Sequence, residues 1–143
     1  MKKVIGRKEK LSLPIWGLKN ITGKIDTGAY TSAIHCESYE VVEENGKEVL
    51  YFVLLEPSHV KFSGKKVRAD HFTQKKVKNS FGQAENRYKV KTKVSMFGEE
   101  FEAEFTLTDR SKMRNPILLG RKMLKGRFLV DVEAIHLSKK QNQ

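Results

Sequence analysis

The sequence predicts an all-β domain with one short helix near its C-terminal end, and three observations carry that reading. The first is the stretch Tyr88 to Thr108. With its turn at Phe97-Gly98, Val94 faces Phe101, Thr92 faces Ala103, Val90 faces Phe105 and Tyr88 faces Leu107 on one side, while Lys93 faces Glu102 and Lys91 faces Glu104 on the other. A single register satisfies both an apolar face and opposite-charge pairs, which is what fixes the pairing of antiparallel strands. Phe-Gly is not a preferred pair for the tight hairpin turn, so this turn is the unusual part of the prediction. The second observation is Asn45-Gly46, a strong short hairpin signal, set between Val41-Val42 and the run Val49 to Leu55. The third is the apolar triplet Ile117 to Leu119, which ends at Gly120 and reads as a buried strand passing into a helix of about Arg121 to Lys125.

The remaining elements follow in chain order. Leu11, Leu13 and Ile15 alternate with polar residues as a half-buried strand does, and Pro14 makes it an edge candidate. Ile21, Gly23 and Ile25 lead into Asp26-Thr27-Gly28-Ala29. Val49 to Leu55 is apolar throughout and is expected to be buried on both faces. Ser63-Gly64 offers a turn between Val60-Lys61-Phe62 and Lys66-Val67. A polar loop from Asp109 to Asn115 closes at Pro116, Gly126 breaks the helix, and Phe128 to Val130 reads as a last strand. No repeat or long linker divides the chain, so residues 1–137 are expected to form a single domain and 138–143 a polar, frayed tail.

Composition narrows the setting. A chain of 143 residues with 38% apolar content has room for one core. Cys36 is the only cysteine, which excludes an internal disulfide and suits a reducing compartment. No apolar run approaches a membrane span, and Met1-Lys2-Lys3 is followed by only Val4-Ile5 before Gly6-Arg7, so neither an anchor nor a secretory signal is expected, and the expected location is cytoplasmic. With 28 Lys plus Arg against 17 Asp plus Glu, the net charge of +11 implies acidic partners: an acidic peptide, a ribosome surface or RNA.

Asp26-Thr27-Gly28, paired with Ile117-Leu118-Leu119-Gly120-Arg121 near the other end, suggests an aspartic peptidase. Peptide hydrolysis is slow because water is a poor nucleophile and an amine a poor leaving group. Two carboxylates sharing one proton address both, the ionised member taking a proton from water while the protonated one stabilises the carbonyl oxygen. Asp26 supplies one. The three other aspartates, Asp70, Asp109 and Asp131, are not followed by Thr-Gly or Ser-Gly, so the second carboxylate is expected from another copy of the chain in a homodimer. Gly28 allows close backbone approach and unusual dihedrals beside the carboxylate, and Ala29 is small enough to line a substrate channel.

Asp26-Thr27-Gly28-Ala29 followed by Ile117-Leu118-Leu119-Gly120-Arg121 resembles the retropepsins, the retroviral-type aspartic peptidases. The resemblance implies a closed β-barrel, here with added strands between Glu37 and Phe72. It implies that Thr27 bonds across the dimer axis, and that a flap closes over substrate. Asn79-Ser80-Phe81-Gly82-Gln83 occupies the flap's place, which makes Ser80, Phe81 and Gly82 substrate-binding candidates. Lys75-Lys76-Val77-Lys78 leads in and Asn86-Arg87 leads out. Gly120 and Arg121 are structural in this family. The carboxylate that pairs with the arginine is replaced here by Tyr30, so Arg121 is expected to pair with Asp131 or Glu133.

A closer resemblance is to a bacterial retropepsin-like family associated with the RimK glutamate ligase and long labelled ATP-dependent zinc peptidases. It rests on Ile5-Gly6-Arg7, the Asp26 motif with Thr31-Ser32 and His35, Leu107 to Ser111, Pro116 to Arg121, and Gly126 to Asp131. It implies a cytoplasmic aspartic peptidase acting on acidic or glutamate-tailed substrates. Neither half of the old label matches the residues. No P-loop is present, since Gly17 to Gly23 is one residue too long and Lys24 is followed by Ile25. No His-Glu-x-x-His is present either, only scattered His35, Cys36, His59, His71 and His136, so no cofactor and no metal are expected. Two alternatives stay open: a zinc-dependent hydrolase with His35 or Cys36 brought near His59 or His71, and a non-catalytic basic module for RNA or ribosomes.

Overall fold

The computed structural model describes residues 2–78 and 81–138. The chain runs through β1 (Lys3–Ile5), β2 (Lys8–Leu13), a 3-10 turn (Pro14–Trp16), β3 (Leu18–Ile25), β4 (Ser32–Glu44), β5 (Lys47–Leu54), β6 (Val67–Ala69), β7 (Thr73–Lys78), β8 (Ala84–Met96), β9 (Glu99–Thr108), β10 (Ile117–Leu119), the helix α1 (Arg121–Leu124) and β11 (Phe128–Val130). The fold is all-β, with the short helix α1 after β10, as its alternating patterns require.

Hydrogen bonding closes the strands into a ring, β10–β3–β2–β8–β9–β4, because β10 pairs with both β3 and β4. β5 and β6 extend the sheet beyond β4, and they are the added strands. β1 and β11 pair separately, in parallel. Inside the ring lie Leu11, Leu13, Ile21, Ile34, Val90, Val94, Phe105, Leu107, Ile117 and Leu119, all part of one buried apolar cluster. Each comes from the inward face of a strand, so the period-two pattern becomes a core once the sheet curls on itself.

The β8–β9 hairpin has the predicted register, with Val90 opposite Phe105, Thr92 opposite Ala103 and Val94 opposite Phe101. Its ion pairs run diagonally instead of straight across: Lys89 meets Glu104 at 3.0 Å and Lys93 meets Glu100 at 3.4 Å. The turn needs two left-handed residues, and Phe97 (φ 55°) and Gly98 (φ 74°) supply them. An aromatic residue is costly there. Burial of the Phe97 ring against Phe128, at 5.7 Å between centroids, and a 3.0 Å bond from Lys3 Nζ to its carbonyl oppose that cost.

Four expectations change. Ile15 leaves the strand for the 3-10 turn and is 64% exposed, while β2 lies between β3 and β8 and is no edge, because Pro14 falls beyond its last residue. Residues 60–62 form part of a turn, with the Phe62 amide bonded to the His59 carbonyl at 3.0 Å, and β6 pairs with β5 instead. In β5 the side chains of Tyr51 and Val53 are only half-buried, because they point to the face opposite the one on which Leu50, Phe52 and Leu54 enter the core. Ser138, expected in a frayed tail, is buried: its amide and hydroxyl donate to Glu9 Oε1 at 2.9 and 2.8 Å. Glu9 is fully buried, and its other oxygen accepts from the Gly6 and Leu137 amides at 2.7 and 3.0 Å. A carboxylate with four donors tolerates burial.

Candidate active site

The Asp26 turn joins β3 to β4, and β10 is inserted between those two strands. Leu119 pairs with Ile25 in parallel, and Leu118 pairs with Ala33 in the antiparallel sense. Motifs about ninety residues apart are thereby stitched together. The Asp26 amide donates to the Leu119 carbonyl at 2.9 Å, the Arg121 amide to Ala29 at 2.8 Å and the Lys122 amide to Tyr30 at 2.9 Å. The Gly120 amide donates to Ser32 Oγ at 3.0 Å. A Cβ on Gly120 would sit 2.7 Å from the Tyr30 oxygen, so only glycine permits this approach.

Arg121 does not reach Asp131 or Glu133. Its Nη1 donates to the Thr27 carbonyl at 2.8 Å, and its guanidinium lies over the Tyr30 ring at 5.8 Å. Tyr30 thus offers an aromatic face where a carboxylate was missing. Lys75 lies over the same ring at 5.1 Å and donates to Thr31 Oγ1 at 2.6 Å, which ties β7 to the segment after the Asp26 turn. Burial, followed by the charges of Lys89 and Lys122, holds the Lys75 ammonium below its usual range.

Asp26 is half-buried, and its Oδ1 accepts the Gly28 amide at 2.9 Å. A Cβ at Gly28 would lie 3.1 Å from that oxygen, so the close approach is present. The unusual dihedral is not, since Gly28 is absent from the left-handed residues. Asp26, Gly28, Ala29 and Tyr30 line a cleft of about 440 Å³ together with Lys75 to Lys78, Arg87 and Arg110. Among the described residues lining it, Asp26 is the only acid and five are cationic: Lys75, Lys76, Lys78, Arg87 and Arg110. Thr27 is exposed beside it.

β7 and β8 form the hairpin expected at the flap, pairing Lys75 with Arg87, Lys76 with Asn86 and Lys78 with Ala84. Its legs line the cleft, and of the described tip residues Phe81 is 86% exposed and neither it nor Gly82 is among the described lining residues. Ser80 and Asn79 lie outside the described residues. Arg110 escaped the sequence reading as a site residue, although it stands in the Leu107 to Ser111 motif. Ser32 and Lys75 were likewise visible only as neighbours of motifs.

His35 is 3% exposed, and its Nδ1 accepts the Arg110 amide at 2.8 Å. It orders the loop after β9 and so places Arg110. Among the described residues no three His, Cys, Asp or Glu side chains stand together as a metal site, and no helix is long and apolar enough to cross a membrane. Burial pushes the Cys36 thiol up to about 11, and its Sγ–H donates to the Ser38 carbonyl at 3.1 Å. That is a packed thiol and a poor nucleophile.

A family model described as "Retropepsin-like aspartic endopeptidase RimB" matches residues 4–141. Among curated proteins, the chain is similar to a probable alpha-L-glutamate ligase of Parasynechococcus marenigrum, 30% identical over 133 residues, which are 93% of this chain and 28% of that protein. Proteins of the same name from Shewanella pealeana and Desulfotalea psychrophila are 29% and 28% identical over 90% and 91% of this chain. The chain spans about 28% of the length of each of these relatives. Among solved structures, a Legionella pneumophila protein of unknown function superposes with a TM-score of 0.76 at 22% identity, covering 96% of this chain and 99% of that one. At that identity the likeness speaks to the fold.

Proposed function

The chain belongs to the RimB-like family of retropepsin-like aspartic endopeptidases, and on that premise we propose that it hydrolyses peptide bonds through an Asp26 dyad completed by a second copy. One observation carries the reading. Asp26 is the only acidic residue among the described residues of a cleft that the β7–β8 hairpin also lines, so the site holds half the carboxylates its chemistry needs. The Gly28 amide orients one oxygen, which leaves the other to face water or substrate. In the dimer, one Asp26 takes a proton from the attacking water while the other donates to the carbonyl oxygen. The roles then reverse as the amine leaves. Thr27, exposed beside Asp26, bonds to its counterpart, and Ala29 lines the substrate channel.

Acidic, glutamate-rich peptides are the proposed substrates. Five cationic side chains around one carboxylate support this, and relatives named for glutamate ligation are consistent with it. A hydrolase cleaving what a ligase of that class builds would complete a reversible modification, and the setting is cytoplasmic. The test compares native protein with Asp26→Asn on glutamate-rich peptides in the presence of a strong chelator. Hydrolysis by the native protein, and none by a correctly folded Asp26→Asn, is the expected result. Full activity in the variant sinks the dyad, and loss of native activity on chelation moves the reading to a zinc hydrolase.

A further inference from the structure

Arg87 and Arg110 stand apart from the lysines of the cleft. Arg87 has a side chain only 13% exposed and uses Nε to reach Glu85 Oε1 at 2.6 Å. Arg110 uses Nε to reach the Asn115 carbonyl at 3.1 Å, and its backbone is fixed by His35. Both guanidiniums are thus held from one edge by Nε, and among the described residues their terminal nitrogens make no hydrogen bond. They line the same cleft as Asp26. They are also close enough to oppose each other: the Arg110 guanidinium is held below its usual range by burial first and then by the charge of Arg87, with Asp26 acting in the other direction. No ion pair joins Arg110 to a carboxylate among the described residues. Arg87 is paired with Glu85, whereas Arg110 is half-buried beside it with no carboxylate of its own among the described residues, so an anion placed between the two would meet unused donors on both. A planar, bidentate oxyanion fits that gap.

We propose that Arg87 and Arg110 form a carboxylate-binding subsite beside Asp26, and that this pair selects the residue of the substrate next to the bond to be cleaved. The proposal rests on the peptidase reading for the meaning of that position, but the binding itself does not depend on hydrolysis. The carboxylate has two sources, a glutamate side chain or the free C-terminus of the peptide. A side chain makes the protein an endopeptidase with an acidic preference. A C-terminus makes it trim from the end. The lysines on the hairpin legs act differently, since Lys76 and Lys78 are exposed and attract at a distance, whereas the arginines make directed hydrogen bonds.

The experiment is equilibrium binding to Asp26→Asn protein of fluorescent oligoglutamate and oligoglutamine peptides, each with a free or an amidated C-terminus. The same measurements are made with Arg110→Gln, Arg110→Lys and Arg87→Gln added singly. Oligoglutamate is expected to bind tighter than oligoglutamine by on the order of tenfold, the scale of a charge-assisted hydrogen bond, and the ratio falls toward one in both Gln variants. Arg110→Lys keeps the charge but loses the fork, so it restores only part of the ratio. A loss on replacing glutamate by glutamine assigns a side-chain carboxylate; a loss on amidation assigns the C-terminus. Arg110→Gln relieves repulsion while losing one bond to the Asn115 carbonyl, so its melting temperature in the absence of peptide is expected to hold, which separates the subsite from a merely structural role; Arg87→Gln also loses its pair with Glu85 and is expected to melt lower. Undiminished discrimination in a folded Arg110→Gln, or none in the parent, overturns the proposal. Discrimination without any hydrolysis by native protein leaves the subsite standing and removes the peptidase reading instead.

Discussion

Arg121 Nη1 lies 2.8 Å from the carbonyl oxygen of Thr27, so the helix that follows the second motif holds the backbone of the first. The bond crosses 94 positions of sequence. It adds a side-chain link to the backbone bonds that join the end of β10 and the start of α1 to the turn that carries Asp26.

Removing that link has a measurable consequence. Arg121→Ala loses a hydrogen bond and the contact with Tyr30, and is expected to lower stability by about 1 kcal/mol, the usual worth of such a bond. Activity should fall further than this loss implies, because a turn displaced by tenths of an ångström spoils the dyad geometry. Thermal melting and kcat, measured together, check it. An unchanged kcat at reduced stability would show that β10 alone suffices to hold the turn.

On the proposed dyad shared between two copies, activity must depend on concentration. Specific activity should decline on dilution, with a midpoint matching the monomer–dimer transition seen by sedimentation. Mixing native protein with excess Asp26→Asn should also suppress activity, since heterodimers carry one carboxylate. A monomer of constant specific activity contradicts both statements.

The exposed lysines set a salt dependence. Replacing Lys76 and Lys78 with Gln should raise KM for acidic peptides more than for neutral ones, and the gap should close as salt rises, because the Debye length is about 8 Å at physiological ionic strength. If salt changes neither KM, the basic surface serves another partner, and docking to RNA or ribosomes explains it better.

Cys36 provides a pH test of the fold. Burial, the largest cause, raises its thiol from 9.0 to about 11. At pH 8 the folded protein should therefore be alkylated at least about a hundredfold more slowly than an ordinary thiol, in proportion to the thiolate available. The folded value lies above the unfolded one, so the stabilising contribution is complete below about pH 9 and is lost as pH rises through 11. Alkylation at the rate of the denatured chain would show that Cys36 is open to solvent.

Local pattern determined much of this protein by itself. The β8–β9 register was legible because Val90, Val94, Phe101 and Phe105 alternate with charged residues, and a slip by one position would turn the whole apolar set to water. Asn45-Gly46 was legible because few residue pairs adopt two successive left-handed conformations cheaply. Asp26 was legible because its motif is contiguous. Other features depend on contacts that no window of sequence contains. Pro14 hinted at an edge, but β2 is interior because β8 arrives on its far side. Arg121 was expected to find Asp131 or Glu133 by charge, yet β10 inserts between β3 and β4 and brings Thr27 and Tyr30 nearer. Glu9 is buried only because Gly6, Leu137 and Ser138 converge on its carboxylate in the folded chain. Arg110 became a site residue only when His35, 75 positions away, fixed its loop beside the cleft. Periodicity and turn chemistry are properties of neighbours along the chain, whereas burial of a charge and the identity of its partner are decided only when the ring of strands closes.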